Sequence, residues 1–220
     1  MKKLIIFGLT DAAELALYYF STDSDYQVEA FAVDAEYMPA DKSFMGFPVV
    51  AFDEVPQIYP PDRYVFFVAL GYSKLNQIRK EKYLAVKALG YEMVSYISSR
   101  ASMLTEDIGE NCFILEDNTV QPFVSIGNNV TMWSGNHVGH HSRIEDHCFL
   151  ASHIVVSGRV TIGESCFLGV NATLRDHVTI GEKCIIGAGA LILGDAAAEG
   201  VYVGQATERS RVPSTRVRNI

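Results

Sequence analysis

Residues 162–173 read Ile162-Gly163-Glu164-Ser165-Cys166-Phe167 and then Leu168-Gly169-Val170-Asn171-Ala172-Thr173. Each half opens on an aliphatic residue, follows it with glycine and places a small apolar residue fifth. The same frame holds outward in both directions for fifteen units, from Ile108 to the unit that opens at Ile192, without an insertion. Every first position is Ile, Val, Leu or Met. The fifth is small or β-branched and apolar except at Asn118, Asn136 and Ser142. Glycine recurs second, at Gly109, Gly127, Gly139, Gly163, Gly169, Gly181 and Gly187. A strict period of six over some ninety residues predicts a parallel β-helix, with one short strand and one corner per unit. Three units close a triangular coil of eighteen residues. Five such coils at ~4.8 Å spacing make a prism ~24 Å tall.

This register accounts for the cysteines. Cys112, Cys148, Cys166 and Cys184 all take the inward fifth position, and the last three are eighteen apart. No C-x-x-C pair exists, so no metal site is expected. Stacked strands hold their backbones too close for good disulfide geometry. Four reduced thiols filling core space in a cytoplasmic protein are expected.

The register does not account for the histidines. All six lie between His137 and His177, none of them at an inward position of the repeat. His140 and His141 are third and fourth in their unit, on a corner. Steps of eighteen place His140 between Pro122 and Gly158, with Asp176 one coil further, and His141 between Phe123 and Arg159, with His177 beyond. An imidazole beside a bare glycine is a useful pair. The ring accepts a proton near neutral pH, and the Gly158 N–H stabilises charge on a carbonyl oxygen. The competing interpretation is a solvated surface histidine; the pairing of His140 with Gly158 favours function.

The first hundred residues read differently. Residues 3–7 form an apolar run of strand type that breaks at Gly8-Leu9-Thr10-Asp11. The run is too short for a secretory signal, and Asp11 and Glu14 follow it. A helix is expected over 12–20, strands over 28–33, 46–50, 64–70 and 91–97, and a charged helix over 74–89. Strand, helix and strand in this order predict a small parallel α/β sheet, whose ligands sit at the carboxyl ends of its strands. That singles out Gly8, Thr10, Asp11, Asp34, Gly71, Asn76 and Arg79. Two bland interpretations stay open: Gly8 eases a tight turn, and Asp34 caps a turn.

Composition narrows the class. Of 220 residues 49% are hydrophobic and 20% charged, which excludes a disordered chain, a collagen and a coiled coil. The net charge of −8 argues against a general nucleic-acid partner. No run reaches the ~18 apolar residues of a membrane span, so no membrane insertion is expected.

An α/β segment followed by unbroken hexapeptide repeats resembles the bacterial nucleotide-sugar acetyltransferases, such as the UDP-bacillosamine and GDP-perosamine N-acetyltransferases and the sialic acid O-acetyltransferases. The resemblance implies a left-handed β-helix and a homotrimer with sites between subunits. It divides the chain into 1–100, a nucleotide-sugar-binding α/β domain, and 101–220, a β-helix acyltransferase domain with a C-terminal tail. Val138-Gly139-His140-His141-Ser142 matches the family's catalytic segment. His140 matches its general base and Gly158 the glycine whose N–H meets the thioester carbonyl. By the same resemblance acetyl-CoA lies along the later coils, at Gly158, Val170, Gly187, Ala188 and Gly204. The segment from Gly71 to Arg79 resembles the family's Gly-x-x-x-x-Asn/Glu-x-x-Arg, so Gly8, Asp11, Asp34, Gly71, Asn76 and Arg79 are expected to hold a nucleotide-linked amino sugar, with Arg79 clamping a phosphate.

Three departures stand out. His141 replaces the family's glutamate after the base, which makes it a competing catalytic residue. The closing Gly-x-Pro-Ala loop reads Gly204-Gln205-Ala206-Thr207. The first loop lacks its second glycine, with Asp11 near that place. Arg209, Arg211, Arg216 and Arg218 crowd the last twelve residues, either as a basic tail or as partners of coenzyme phosphates. The expected activity is N-acetylation of a nucleotide-linked amino sugar by direct attack. The alternatives are O-acetylation of a sugar hydroxyl and a non-catalytic hexapeptide-repeat binding trimer.

Overall fold

The computed structural model describes residues 2–216; Arg218 lies outside them. The chain opens with β1 (Lys2–Phe7), α1 (Asp11–Thr22), β2 (Tyr26–Val33), β3 (Ser43–Phe44), β4 (Phe47–Ala51), α2 (Val55–Ile58), β5 (Tyr64–Val68), α3 (Gln77–Ala88) and β6 (Glu92–Met93). They build a sheet of order β3-β4-β2-β1-β5-β6, parallel except for the β3-β4 hairpin. β1, β2 and β5 are apolar almost throughout because helices cover both faces. On one face Ala13, Ala16 and Phe20 of α1 pack with Phe31 and Phe67. On the other, Val55 of α2 and Tyr83 and Val86 of α3 pack with Phe7, Phe66 and Val68. The connections run outward in opposite directions from β1 and β5. The switch point between these strands therefore opens a crevice at their carboxyl ends.

The expected fifth strand over 91–97 is two strands with different partners. Glu92–Met93 closes the α/β sheet beside β5, while Tyr96–Ile97 already pairs with Phe113–Ile114 of the next layer. The β-helix thus begins before the regular register does. Tyr96 pairs with Phe113 and Ser102 with Thr119, seventeen residues on, and the spacing becomes eighteen at the Ile108–Ile126 bridge. From there two-residue strands stack in three parallel sheets up to Val201–Tyr202. The final coil spans sixteen residues, from Ile180 to Ala196 and from Ile185 to Val201.

The interior of the prism is the predicted one. The first-position aliphatics from Ile114 to Ile186 and all four cysteines are buried. Each such aliphatic contributes roughly 1.5–3 kcal/mol of transfer free energy. The thiols are free, and each donates to a carbonyl of the next coil, as Cys148 Sγ does to Gly163 O at 3.1 Å. Burial pushes the Cys112 thiol up to about 12, so it stays protonated. Each corner turns through a left-handed residue in the fourth position, such as Asn129, His147, His141 and Arg159. One outer face carries Phe113, Phe149 and Phe167, and the α/β layer docks there: Phe113 packs with Phe67 and Tyr96, and Tyr72 covers Phe149 and Phe167.

Candidate active site

The strand His137–Val138 delivers His140 and His141 to one corner of the prism. Phe123, His141, Arg159 and His177 stack there as its left-handed residues, with φ between 59° and 65°. His140 leans over Gly158. A Cβ on Gly158 would lie 2.9 Å from both Cε1 and Nε2 of the imidazole, and a Cβ on Gly139 would lie 2.6 Å from the Gly158 nitrogen. Both glycines therefore keep this spot clear. Among the described residues the Gly158 N–H has no acceptor. On another corner the equivalent amides of Glu110 and Asn128 donate to side chains eighteen residues on, at 3.1 and 2.7 Å. The result is a proton acceptor beside an open N–H donor, which suits an attacking nucleophile and a developing oxyanion. The His140 N–H donates to Gln121 Oε1 at 2.9 Å, and its ring Nδ1 is 3.0 Å from Nδ1 of His141. The His141 ring rests on Phe123, 4.7 Å between centroids. Desolvation, then the Arg159 charge and His140, hold His141 below the usual histidine range.

The second group of residues meets at the carboxyl edge of the sheet. Gly8 takes φ +122°, and a Cβ there would meet the Ala69 carbonyl at 2.6 Å, so only glycine lets β1 and β5 end this close. A cleft of about 470 Å³ opens beside them, lined by Thr10, Asp11, Ala12, Leu70, Gly71, Tyr72, Ser73 and Ile78. Asp34, at the end of β2, makes no capping bond. It pairs instead with Lys82 Nζ at 2.5 Å, and that ammonium also lies over the rings of Phe7 and Phe52.

Asn76 and Arg79 are not in the cleft, contrary to the sequence-based expectation. Both are buried. Arg79 donates to the carbonyls of Gly71 (3.0 Å), His147 (2.9 Å), Cys148 (3.1 Å) and Asn129 (3.4 Å), and to Asn76 Oδ1 (3.2 Å). Asn76 Nδ2 donates to the carbonyls of Ser165 and Cys166 at 3.2 and 3.1 Å. The left-handed corner at Asn129, His147 and Ser165 turns these carbonyls outward, and the helix supplies their donors. Burial lowers the Arg79 guanidinium to about 10, and it stays cationic at neutral pH. Its terminal nitrogens are taken up by carbonyls and Asn76, and although Nε has no partner the whole group is buried away from the cleft, with no open face for a phosphate. The helix also begins later than expected, at Gln77, because Lys74, Leu75 and Asn76 all adopt positive φ.

The third group lies along the later coils. Val170 and Ala188 line an apolar groove of about 420 Å³ with Tyr72, Trp133, Phe149, Phe167 and Gly169. Gly187 and Gly204 stack closely beside it: a Cβ on Gly187 would be 2.9 Å from the Gly204 nitrogen. Tyr72 lines both this groove and the sheet-edge cleft, so the two lie on either side of one side chain. His140 and Gly158 sit on a different corner. Six extended residues separate adjacent corners, on the order of 20 Å, so one chain does not bring them to Val170 and Ala188. Sequence reading missed Tyr72, Trp133, Gln121 and Lys82. Only Lys82 had a local signal, three residues after Arg79 on the same helix.

Residues 159–194 match the family model described as bacterial transferase hexapeptide (six repeats). No curated protein matches the chain significantly. Among solved structures, PerB from Caulobacter crescentus in complex with CoA and GDP-perosamine is 25% identical, with a TM-score of 0.80 over 93% of this chain and 95% of that one. The acetyltransferase domain of PglB from Neisseria gonorrhoeae, in complex with acetyl coenzyme A, is 22% identical, with a TM-score of 0.78 over 92% and 96%. WeeI from Acinetobacter baumannii is 20% identical, with a TM-score of 0.77 over 93% and 97%. Over nearly its whole length the chain shares the fold of these three solved structures, and residues 159–194 of its later coils carry the transferase hexapeptide match.

Proposed function

We propose that this protein is an acetyl-CoA-dependent N-acetyltransferase for a nucleotide-linked amino sugar. The observation that carries this reading is the His140 ring set over Gly158, whose N–H is left open by Gly139. The neutral sugar amine attacks the thioester carbonyl, and an N–C bond forms. His140 Nε2 takes the amine proton, and the Gly158 N–H stabilises the oxyanion. Collapse breaks the C–S bond, and coenzyme A leaves as its thiolate. No cysteine has the setting of a nucleophile, because all four are buried inside the prism.

In this reading the α/β layer, 1–100, holds the nucleotide in the cleft of Gly8, Asp11 and Gly71, with Asp34 at its edge. The β-helix, 101–220, is left-handed and carries acetyl-CoA in the groove of Val170, Gly187, Ala188 and Gly204. A homotrimer brings the His140–Gly158 corner of one subunit to the groove of the next, and its free thiols suit the cytoplasm. The relatives' ligands support the choice of substrates, since PerB is seen with CoA and GDP-perosamine.

The test is a coupled assay of coenzyme A release with acetyl-CoA and a panel of GDP- and UDP-linked amino sugars, with products identified by mass. Acetylated sugar nucleotide is expected for at least one member. Product formed only from hydroxyl-bearing acceptors would move the reading to O-acetylation, and coenzyme A binding by calorimetry without turnover would make the protein a binding trimer.

A further inference from the structure

We propose that His141 is the residue that positions His140, taking as a neutral imidazole the place a carboxylate would hold beside a general base. The proposal rests on the reading of His140 as the base. Nδ1 of His140 and Nδ1 of His141 are 3.0 Å apart, and one proton must lie between them. The edge of His140 nearest Gly158 carries Nε2. For Nε2 to accept a proton from substrate it must be bare, so in the neutral ring the proton sits on Nδ1. His140 is then the donor and His141 the acceptor, and His141 carries its own proton on Nε2.

The surroundings hold His141 in that role. Its ring lies on Phe123, and its backbone N–H donates to Pro122 O at 3.3 Å. The charged and titratable groups facing it are Arg159 and His140, with the Asp176–His177 pair one coil beyond. Arg159 disfavours a second positive charge there, which keeps the His141 Nδ1 lone pair available. Once His140 has taken a proton at Nε2, its Nδ1 proton stays in the bond to His141, and the Nε2 proton passes on to the departing coenzyme A thiolate. That return leaves both histidines neutral, with His140 protonated at Nδ1 and its Nε2 bare again. The exchanged partner thus fixes the tautomer and orientation of the base, as a carboxylate would, without adding a negative charge beside it.

Nitrogen-15 histidine spectra of the whole protein test the pairing without any substrate, with His140 assigned through His140→Asn. The expected result is neutral His140 protonated at Nδ1, with reversion to the Nε2-protonated form common in exposed histidines on His141→Ala. His141→Glu should keep the Nδ1 proton, since a carboxylate accepts it as the imidazole does. A His140 protonated at Nε2 in the native protein, or an Nδ1 proton that persists in His141→Ala, would overturn the proposal. Failure of the underlying reading looks different: His140→Asn would then leave turnover intact, whatever the tautomer.

Discussion

A methyl group at position 158 has nowhere to go except into the imidazole, because Cε1 and Nε2 of His140 lie 2.9 Å from where it would sit. Gly158→Ala should therefore push the ring away and lower kcat by roughly 10- to 100-fold, the value of one misplaced proton acceptor. His140→Asn should cost ~10²–10⁴ in kcat. Neither variant touches the sheet-edge cleft, so the Michaelis constant for the sugar nucleotide should move much less. Steady-state kinetics on both variants, with a thermal midpoint within a few degrees of the parent, checks this. The pairing of His140 with Gly158 was legible because an eighteen-residue period turns sequence distance into vertical contact. The approach of His141 to His140 was not. Adjacent corner residues are related by χ angles, and no repeat encodes those. Lys82 escaped for a similar reason. Periodicity shows which helix face it shares with Arg79, while the length of its stem decides that it reaches Asp34.

At the scale of elements, α3 holds the two layers together. Its middle turn places Arg79 against carbonyls that the prism cannot satisfy, and Lys80 and Lys87 flank it with ion pairs to Glu164 and Glu110. Arg79→Ala would strand those carbonyls away from water. It should cost ~3–5 kcal/mol, or on the order of 10 °C in the midpoint of thermal unfolding. A selective loss of affinity for the sugar nucleotide with an unchanged midpoint would restore the phosphate clamp. The i, i+3 spacing of Asn76 and Arg79 showed that they act together. It could not show what they face, since that depends on where an outward carbonyl of a different layer falls. The same corner holds a buried histidine. His147 accepts from Asn129 Nδ2 at 2.9 Å, and burial, with Lys80 next, lowers it to about 4 from 6.5. The unfolded chain thus binds a proton that the folded one refuses between these values. Stability from this group is complete above about pH 6.5 and declines as the pH falls toward 4, by about 2–3 kcal/mol in all. Denaturant titrations from pH 7 to pH 4 should show that slope, flattened in His147→Gln.

For the whole molecule, the separation of the His140 corner from the Val170 groove makes assembly a matter of chemistry. If sites form between subunits, two inactive variants should rescue each other. His140→Asn spoils one side of an interface and Ala188→Trp the other. Mixed and reassembled in equal amounts, they should recover intact sites at roughly a quarter of interfaces. No recovery, or a monomer in sedimentation at micromolar concentration, would count against the trimer. The architecture of the prism was the most legible feature of the chain and its first coil the least, because seventeen residues there break the frame that announces the rest. That irregularity, with the sixteen-residue coil at the other end, bears on how such a chain can change in length. A single residue gained between Ile108 and Ile180 would turn every later side chain out of step, exposing core and burying surface. Eighteen gained or lost would merely add or remove a storey. Evolution can therefore lengthen this molecule only in whole storeys, and its freedom to slip by one or two residues is confined to the floor and the roof.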